Sequence, residues 1–266
     1  MIVVKIGGSE GVDLDALCRD AAAIIKGGER LVIVHGGSHL TGVLGEKLGC
    51  PPRFITSPSG HTSRRTDRPT LEAFQMACAL LNARIVERLS ALGIAAIGLS
   101  GMDGRLWEGS RKDAVRSVED GRIVIVRDDY TGAVERVNAG LVRSLLEGGY
   151  TPVLSPPGIT PAGEPINVDA DRAAARTASA LGASRLLLLS NVAGVLRSFP
   201  DESSLVPSIS KAQIDSFIEL AGGRMKKKIL GAGEALSGGV ERVVIGDARI
   251  ERPIARALEG AGTVLA

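Results

Sequence analysis

The first forty residues contain two runs of aliphatic residues that each end at a pair of glycines. Residues 2–6 read Ile-Val-Val-Lys-Ile and precede Gly7-Gly8, while residues 31–34 read Leu-Val-Ile-Val and reach Gly36-Gly37 through one histidine. Between them, Asp13 is placed to cap a helix, so the order is strand, helix, strand. Continuous aliphatic strands are buried on both faces, and this predicts a parallel sheet covered by helices on both sides.

The same alternation continues along the chain and predicts an α/β fold. We expect one three-layer αβα body over residues 1–266, with a central, mainly parallel sheet and inserted β-hairpins. Two lobes, about 1–165 and about 166–266, would join near Asn167. Asp67 is placed to open a further helix over 71–89, and the pattern predicts other helices at about 138–148, from 169 or 171, near 210–220 and at 226–237. Further strands are predicted at 94–97, 151–154, 186–189 and 243–245, with 263–265 as a possible last edge strand. Hairpins are expected within 104–137 and 156–165.

Composition excludes several classes of function. Aromatic residues make up 3% of the chain, too few for a surface that stacks nucleic-acid bases, and the formal net charge of +2 is too small for general polyanion binding. No apolar run approaches the roughly 18 residues of a membrane helix, and no export signal precedes the first strand. The three cysteines form no paired motif and predict reduced, mostly buried thiols. We therefore expect a cytoplasmic protein that binds neither nucleic acid nor membrane.

Glycines at the carboxyl ends of parallel strands allow main-chain amides to approach an anion closely, and the helix that follows adds a partial positive charge. Two such turns after adjacent strands would frame a phosphate, although plain tight turns would have the same sequence. The P-loop pattern is absent, and Gly231-x-Gly233 is followed by Leu236 where the dinucleotide-binding pattern needs glycine. A dehydrogenase is therefore disfavoured.

Charged residues at two places need partners. Lys5 lies near the end of an otherwise apolar strand, where an unpaired charge would be costly to bury. Lys226, Lys227 and Lys228 follow a glycine pair at the start of a predicted helix, where cations are unfavourable unless anions lie nearby. The acidic cluster 167–171, Asn-Val-Asp-Ala-Asp, would either cap the next helix or hold two lysines in position.

Five short motifs in a fixed order resemble the amino acid kinase family, and their spacing is similar to that of acetylglutamate kinases over essentially the whole chain. The motifs are Lys5-Ile6-Gly7-Gly8-Ser9, His35-Gly36-Gly37, the glycine-rich run 98–104, Asn167-x-Asp169-x-Asp171 and Met225-x-x-Lys228. The resemblance implies that Lys5 and Lys228 stabilise a phosphoryl group in transfer and that Asp171 orients both lysines. An arginine between Gly223 and Met225 makes the choice of Lys228 over Lys227 depend on Met225.

The resemblance also implies binding residues and partners. Gly36, Gly37, Arg64 and Asn167 would hold an acidic substrate, and Gly8 would lie beside the phosphates. ATP would be used with Mg²⁺, without metal-ligating residues in the chain. The N-terminal lobe would bind the acidic substrate and form a homodimer, and the C-terminal lobe would bind ATP.

Residues 57–67, Ser-Pro-Ser-Gly-His-Thr-Ser-Arg-Arg-Thr-Asp, separate subgroups of this family. They resemble the branch that phosphorylates 2-aminoadipate or glutamate attached by its amino group to a small acidic carrier protein, in lysine or arginine biosynthesis. Residues 128–132 and 190–192 resemble the same branch. An N-acetylglutamate kinase and a non-catalytic nucleotide-binding module of the same fold are the alternatives.

The expected chemistry suits these residues. A side-chain carboxylate has a pKa near 4 and is already an anionic nucleophile at neutral pH, so no histidine base is required. Charge repulsion by the phosphates is the obstacle, and two lysines with two glycine turns would reduce it. Arg53, Arg64, Arg65 and Arg68 form a sequence cluster that would be either a basic rim for an acidic carrier or a solvated loop.

Overall fold

The computed structural model describes residues 1–58, 60, 62–119 and 121–266. Within the segment that separates subgroups, Ser59 and His61 lie outside the described residues. None of the helices in the described ranges is long and apolar enough to cross a bilayer.

The strands in chain order are β1 Ile2–Ile6, β2 Leu31–His35, β3 Phe54–Thr56, β4 Thr62–Arg64, β5 Ala96–Ser100, β6 Trp107–Arg111, β7 Val115–Glu119, β8 Arg122–Val126, β9 Gly132–Val137, β10 Thr151–Ser155, β11 Gly158–Ile159, β12 Pro165–Ile166, β13 Arg185–Ser190, β14 Ser208–Ile209, β15 Arg242–Asp247 and β16 Thr263–Leu265. The helices are α1 Leu14–Lys26, α2 Ser38–Lys47, α3 Arg68–Ala91, α4 Ala139–Glu147, α5 Ala170–Leu181, α6 Ile214–Leu220, α7 Gly223–Ser237 and α8 Pro253–Leu258.

One eight-stranded sheet runs through the molecule in the order β14-β16-β15-β13-β1-β2-β10-β5. Its neighbours from β15 to β5 are parallel, and β16 pairs with β15 antiparallel. One core packs α1, α3 and α8 on one face of the sheet, and a second core packs α5 and α7 on the other. The expected three-layer αβα architecture is confirmed.

The inserted strands form smaller sheets, as the alternation in 104–137 predicted. β6 pairs antiparallel with β9, β7 with β8, and β11 with β12, and β11 joins β6 in a four-stranded sheet. Trp107 fixes this sheet to the body, since its ring is fully buried and its Nε1 donates to Thr177 Oγ1 on α5 at 3.0 Å.

Aspartate side chains cap the start of three helices, as the sequence indicated. Asp13 caps α1, Asp67 caps α3 and Asp169 caps α5 through their side-chain oxygens. Cys18 and Cys78 are buried as expected, and burial raises the pKa of the first thiol to about 11 and of the second to about 12.

Several bounds of strands and helices differ from the expected ones. The strand expected at 94–97 begins at Ala96, because Gly93 ends the preceding helix and Ile94 packs in the connection. Residues 263–265 are not at the edge, since β14 pairs with them on the outer side. The helix expected from 226 begins at Gly223, after Gly222 at the N-cap.

The contact between Trp107 and α5 gives a stability prediction. Trp107→Phe removes a buried hydrogen bond and leaves unfilled volume, so the free energy of unfolding should fall by about 1–3 kcal/mol. Urea unfolding followed by circular dichroism measures it. Val118→Ala, on the exposed side of the β7–β8 hairpin, is the control and should change stability by less than about 0.5 kcal/mol. Equal midpoints for the wild type and Trp107→Phe would contradict this role.

Candidate active site

Two buried lysines share one buried carboxylate beside the carboxyl end of the sheet. Lys5 Nζ lies 2.7 Å from Asp171 Oδ1, and Lys228 Nζ lies 3.2 and 3.1 Å from Asp171 Oδ1 and Oδ2. The three residues are 5%, 7% and 8% exposed for Lys5, Lys228 and Asp171 respectively. The cluster therefore holds two positive charges against one negative charge, with little water around it.

Each member comes from a different element. Lys5 is on β1 and shares its face of the sheet with Val3, which packs in the core beside α5 and α7. Asp171 lies in the first turn of α5 and Lys228 in the second turn of α7. Within the acidic cluster the two anticipated roles fall on different residues, since Asp169 caps α5 and Asp171 contacts the lysines.

The neighbouring lysine takes a different position. Lys227 Nζ lies 3.7 Å from Asp169 Oδ2, and its side chain is 36% exposed. Lys228 is thus the member of the lysine run that reaches Asp171, although the inserted Arg224 had left the choice open. Lys228 is also the residue that the motif Met225-x-x-Lys228 selects, three positions after Met225 on α7.

Electrostatics keep the Asp171 carboxylate ionised. Burial acts to raise the pKa of Asp171, but the charges of Lys228 and Lys5 outweigh it and hold that pKa well below its usual range. Burial lowers the pKa of Lys228, and the charge of Lys5 acts in the same direction against the attraction of Asp171. A surplus positive charge in a poorly hydrated place is a strong binding site for an anion.

The two glycine turns lie against each other. A Cβ on Gly8 would stand 2.6 Å from Gly37 N and 2.8 Å from Ser38 N, so only glycine permits this approach. Gly37 in turn leaves no room for a Cβ against Cys78 Sγ, at 2.9 Å, whereas a Cβ on Gly36 would meet nothing closer than 3.6 Å. Packing explains Gly8 and Gly37, and it leaves Gly36 without a packing reason.

The main-chain amides of these turns are available to a ligand. Among the hydrogen bonds of the described residues, none is donated by the amides of Gly8, Gly37 or Ser38, and no side chain caps α2. His39 N and Ser38 Oγ instead donate to the Gly8 carbonyl, at 2.8 and 3.0 Å. The free amides near the N-terminus of α2 and the lysine cluster are both suited to phosphate oxygens.

Ser190 is a site residue whose role the sequence did not resolve. It ends β13, beside β1, and a Cβ on Gly7 would stand 3.4 Å from its Cβ. The side chain is buried, and its hydroxyl has no hydrogen-bond partner among the described residues. A buried hydroxyl without a partner at this edge is consistent with a ligand contact.

One of the predicted substrate residues, Arg64, lines a cleft of about 540 Å³, whereas Gly36, Gly37 and Asn167 are not part of its lining. Arg64 lines it together with Ser38, donates to the Ser38 carbonyl at 3.1 Å and stacks over the Phe54 ring. Asn167 Nδ2 donates to Thr66 Oγ1 at 2.9 Å. Thr66 follows Arg64, the last residue of β4, by two positions in the chain.

A polar network that the sequence did not reveal supports this region. The Asp129 carboxylate accepts from Thr66 N at 2.9 Å and from Thr131 N at 2.8 Å, and Tyr130 N donates to Thr66 O. Arg65 forms a bidentate pair with Asp128 at 2.7 and 2.8 Å. Two segments chosen for their resemblance to one branch, 57–67 and 128–132, are therefore direct partners in space.

The arginine cluster is less free than its sequence suggested. Arg65 is paired with Asp128, and Arg68 is paired with Glu72 one helical turn away. Arg53 is exposed, and Arg64 is partly buried in the cleft. The positive charge offered to a partner at the surface is therefore concentrated at Arg53, which forms no ion pair within the described part of the chain.

Comparisons with known proteins show which family this chain is similar to. The profile of the amino acid kinase family matches residues 1–247. LysW-aminoadipate kinase of Deinococcus radiodurans is 57% identical over the whole chain and 91% of its own length, and that of Thermus thermophilus is 53% identical over the whole of both chains. Among solved structures, N-acetylglutamate synthase of Neisseria gonorrhoeae, bound to coenzyme A and N-acetyl-glutamate, superposes with a TM-score of 0.80 at 26% identity. The chain spans 59% of that protein's length.

The shared carboxylate gives a prediction on stability and its pH dependence. Asp171→Asn leaves two buried ammonium groups without a counter-charge, so the free energy of unfolding at pH 7 should fall by about 3–5 kcal/mol. The folded pKa of Asp171 lies below the unfolded value of about 4, so its stabilisation is complete at neutral pH and is lost as the pH falls below that value. The difference between wild type and variant should therefore shrink in acid.

Urea unfolding at several pH values measures this difference. Asp169→Asn is the matched control, because asparagine caps a helix as well as aspartate and the ion pair of Asp169 with Lys227 is long and partly exposed. The control should lose less than about 1 kcal/mol. Similar losses for both variants would show that the lysine cluster does not depend on Asp171.

Proposed function

Since the chain belongs to the amino acid kinase family, we propose that it transfers the γ-phosphoryl group of ATP to the side-chain carboxylate of 2-aminoadipate or glutamate held on a carrier protein. The lysine pair bridged by Asp171 next to two glycine turns is the observation that carries the reaction type. The names of the two relatives more than half identical to it support the carrier-bound substrate.

The proposed step needs no base. A carboxylate oxygen attacks the γ-phosphorus, the bond between that phosphorus and the bridging oxygen to ADP breaks, and an acyl phosphate and ADP result. The substrate carboxylate is already ionised at neutral pH, so no proton moves. Alignment of the reactants and neutralisation of their charges supply the rate enhancement.

Lys5 and Lys228 would neutralise the transferring group from one side, and the amides of Gly8, Gly37 and Ser38 would donate to its oxygens from the other. Asp171 would keep the two ammonium groups from repelling each other out of position. Because the carboxylate contacts both lysines at 2.7 to 3.2 Å, it can orient them before the substrates bind.

The acidic substrate would lie along Gly36 and Gly37, between Arg64 and Asn167. The Arg64 guanidinium matches the planar geometry of a carboxylate, and the absence of a Cβ on Gly36 leaves space for close approach. The Asn167 side chain is already oriented by Thr66.

The lobe beginning near residue 166 would bind the nucleotide, with the Ser190 hydroxyl facing the phosphates. Magnesium would arrive as part of the ATP substrate, bound by its phosphates. The carboxylate of Asp171 already contacts two ammonium groups and would therefore not serve as a ligand to this magnesium ion. The residues of the described part of the chain offer no cluster of three or more metal-ligating side chains.

The exposed Arg53 and the cleft residue Arg64 would attract an acidic carrier. A homodimer formed through the N-terminal lobe remains a prediction from the family resemblance, and a cytoplasmic location remains a prediction from the sequence.

The role of the lysines is tested by substitution. Lys5→Ala or Lys228→Ala should lower kcat by at least about 100-fold, the scale of losing one group that stabilises transition-state charge. Lys226→Ala is the matched control, because Lys226 is on the same helix and exposed. Near-normal turnover in both active-site variants would refute the assignment.

The substrate is tested by trapping acyl phosphate with hydroxylamine. The enzyme is supplied with ATP and either carrier-linked aminoadipate, carrier-linked glutamate or free N-acetylglutamate. Product from the carrier-linked forms alone supports the proposal and shows which side chain is preferred. Comparable product from N-acetylglutamate would instead identify an N-acetylglutamate kinase, and no product from any of them would favour the non-catalytic nucleotide-binding module.

Docking of the carrier should depend on ionic strength. Raising salt from low to above physiological levels should increase KM for the carrier-linked substrate several-fold and leave KM for ATP nearly unchanged, because exposed charges are screened within about 10 Å at 0.1 M salt. Arg53→Gln should weaken this dependence, while Arg68→Gln, whose partner is Glu72, should not. A salt-independent KM would exclude electrostatic docking.

A further inference from the structure

A buried histidine and a buried asparagine lie directly behind the second glycine turn. His35 ends β2, is fully buried, and has its Nδ1 3.0 Å from the Gly36 carbonyl oxygen. Its Nε2 lies 3.2 Å from Asn82 Nδ2 on α3, and the same Asn82 nitrogen lies 2.9 Å from the Val153 carbonyl oxygen. The proposed chemistry gives neither side chain a direct role.

The hydrogen bonds assign every proton in this group. The Val153 carbonyl only accepts, so the Asn82 atom beside it is the NH₂ group, which donates one hydrogen to Val153 and the other to His35. His35 Nε2 must therefore accept, and Nδ1 carries the proton that it donates to the Gly36 carbonyl. Burial lowers the pKa of His35 to about 4, and the nearby charge of Lys5 acts in the same direction, so the ring is neutral at physiological pH.

The fold makes a specific place for Asn82. A Cβ on Gly98, in β5, would stand 1.8 Å from Asn82 Oδ1, so this edge strand lacks a side chain where the amide lies. Gly98 belongs to one of the motifs that carried the family resemblance. The glycine at position 98 is therefore explained by its packing against Asn82.

The orientation of Gly36 decides that of the next amide. A trans peptide is planar, so its N–H points opposite to its C=O. When His35 holds the Gly36 carbonyl on the protein side, the Gly37 N–H is directed away from His35. Gly37 N lies next to Gly8 and donates to no described residue.

We propose that Asn82 and His35 are positioning residues that, through the Gly36 carbonyl, hold the Gly37 amide toward the reacting anion. The inference rests on the phosphoryl transfer proposed above and adds two residues to it. A donor that is already oriented does not have to reorganise as charge develops, which is where such groups contribute most to rate.

Three variants test the inference by different routes. Asn82→Leu removes both donors at similar volume, Gly98→Ala displaces the amide without removing it, and Asn82→Asp replaces a donor with an acceptor. Ile85→Val, one turn further along α3 in the same layer and fully buried, is the control for a general loss of packing. Each is assayed for kcat, for KM of both substrates and for melting temperature.

Asn82→Leu and Gly98→Ala should lower kcat by about 10- to 100-fold, somewhat less than the complete loss of one oxyanion donor. KM for ATP should change by less than about two-fold, because the nucleotide is proposed to bind mainly in the other lobe. In Asn82→Asp, the new carboxylate requires a proton on His35 Nε2 while Nδ1 keeps its own. The ring then becomes an imidazolium with a raised pKa, and kcat should acquire an ionisation near neutral pH that the wild type lacks.

Nitrogen NMR of the histidine rings gives a readout that packing alone would not change. The chain has three histidines, so the spectrum is simple to assign. Wild-type His35 should show the Nδ1–H form without titrating between about pH 5 and pH 8, given its lowered pKa. An Nε2–H form, or titration near the ordinary histidine pKa, would overturn the inference.

The kinetic outcomes separate the inference from the proposed function. If the wild type makes acyl phosphate and Asn82→Leu keeps its kcat, or loses no more than Ile85→Val at an equal loss of melting temperature, the positioning role is refuted alone. If the wild type makes no acyl phosphate from any substrate offered, the phosphoryl transfer is refuted and the inference falls with it.

Discussion

The geometry of this protein depends on the ion cluster in which Asp171 bridges Lys5 and Lys228. Taking two ammonium groups out of water is costly, and one carboxylate offsets only part of that cost. The surplus positive charge is tolerable because the site lies where a polyanionic ligand would supply the missing negative charge. The cluster also joins a central strand and two helices of one layer, so the position of each lysine is fixed by the packing of α5 and α7 on the sheet.

Close approach of two backbones complements that cluster. Gly8 meets the Gly37 and Ser38 amides at distances that no side chain would permit, and the glycines are therefore as much a packing requirement as a binding device. The consequence for function is that the turn after β1, at Gly8, lies directly against the Gly37 and Ser38 amides at the start of α2. Behind them, the His35 ring lies with its Nδ1 3.0 Å from the Gly36 carbonyl oxygen.

The proposed substrate end is supported by residues that come from the insertion between β5 and α4. Asp129 holds Thr66, and Thr66 in turn orients Asn167. Residues that resemble one branch of the family are thus connected through hydrogen bonds to the cleft that contains Arg64. Trp107 of β6 anchors the inserted sheet to α5, the helix that carries Asp171, so the proposed substrate end and the lysine cluster share a support.

The sequence by itself determined what depends on neighbours along the chain. Aliphatic strands ending in glycine pairs specified parallel strands and their turns. Asp13, Asp67 and the acidic cluster 167–171 marked helix starts because a cap acts within three residues. The charged residues that needed partners were also visible, since Lys5 stands in an apolar strand. Family resemblance then indicated which acid would meet which lysine.

Only the tertiary structure decided the contacts between distant segments. Asn82 pairs with His35 across 47 positions and Thr66 with Asp129 across 63. Nothing in the sequence around these polar residues distinguishes them from polar residues that face solvent. Packing likewise decided that β14, and not β16, lies at the edge of the sheet. It also decided that Arg65 pairs with Asp128. Periodicity reports which face of an element is buried, but a hydrogen bond between elements depends on the distance and angle at which they pack.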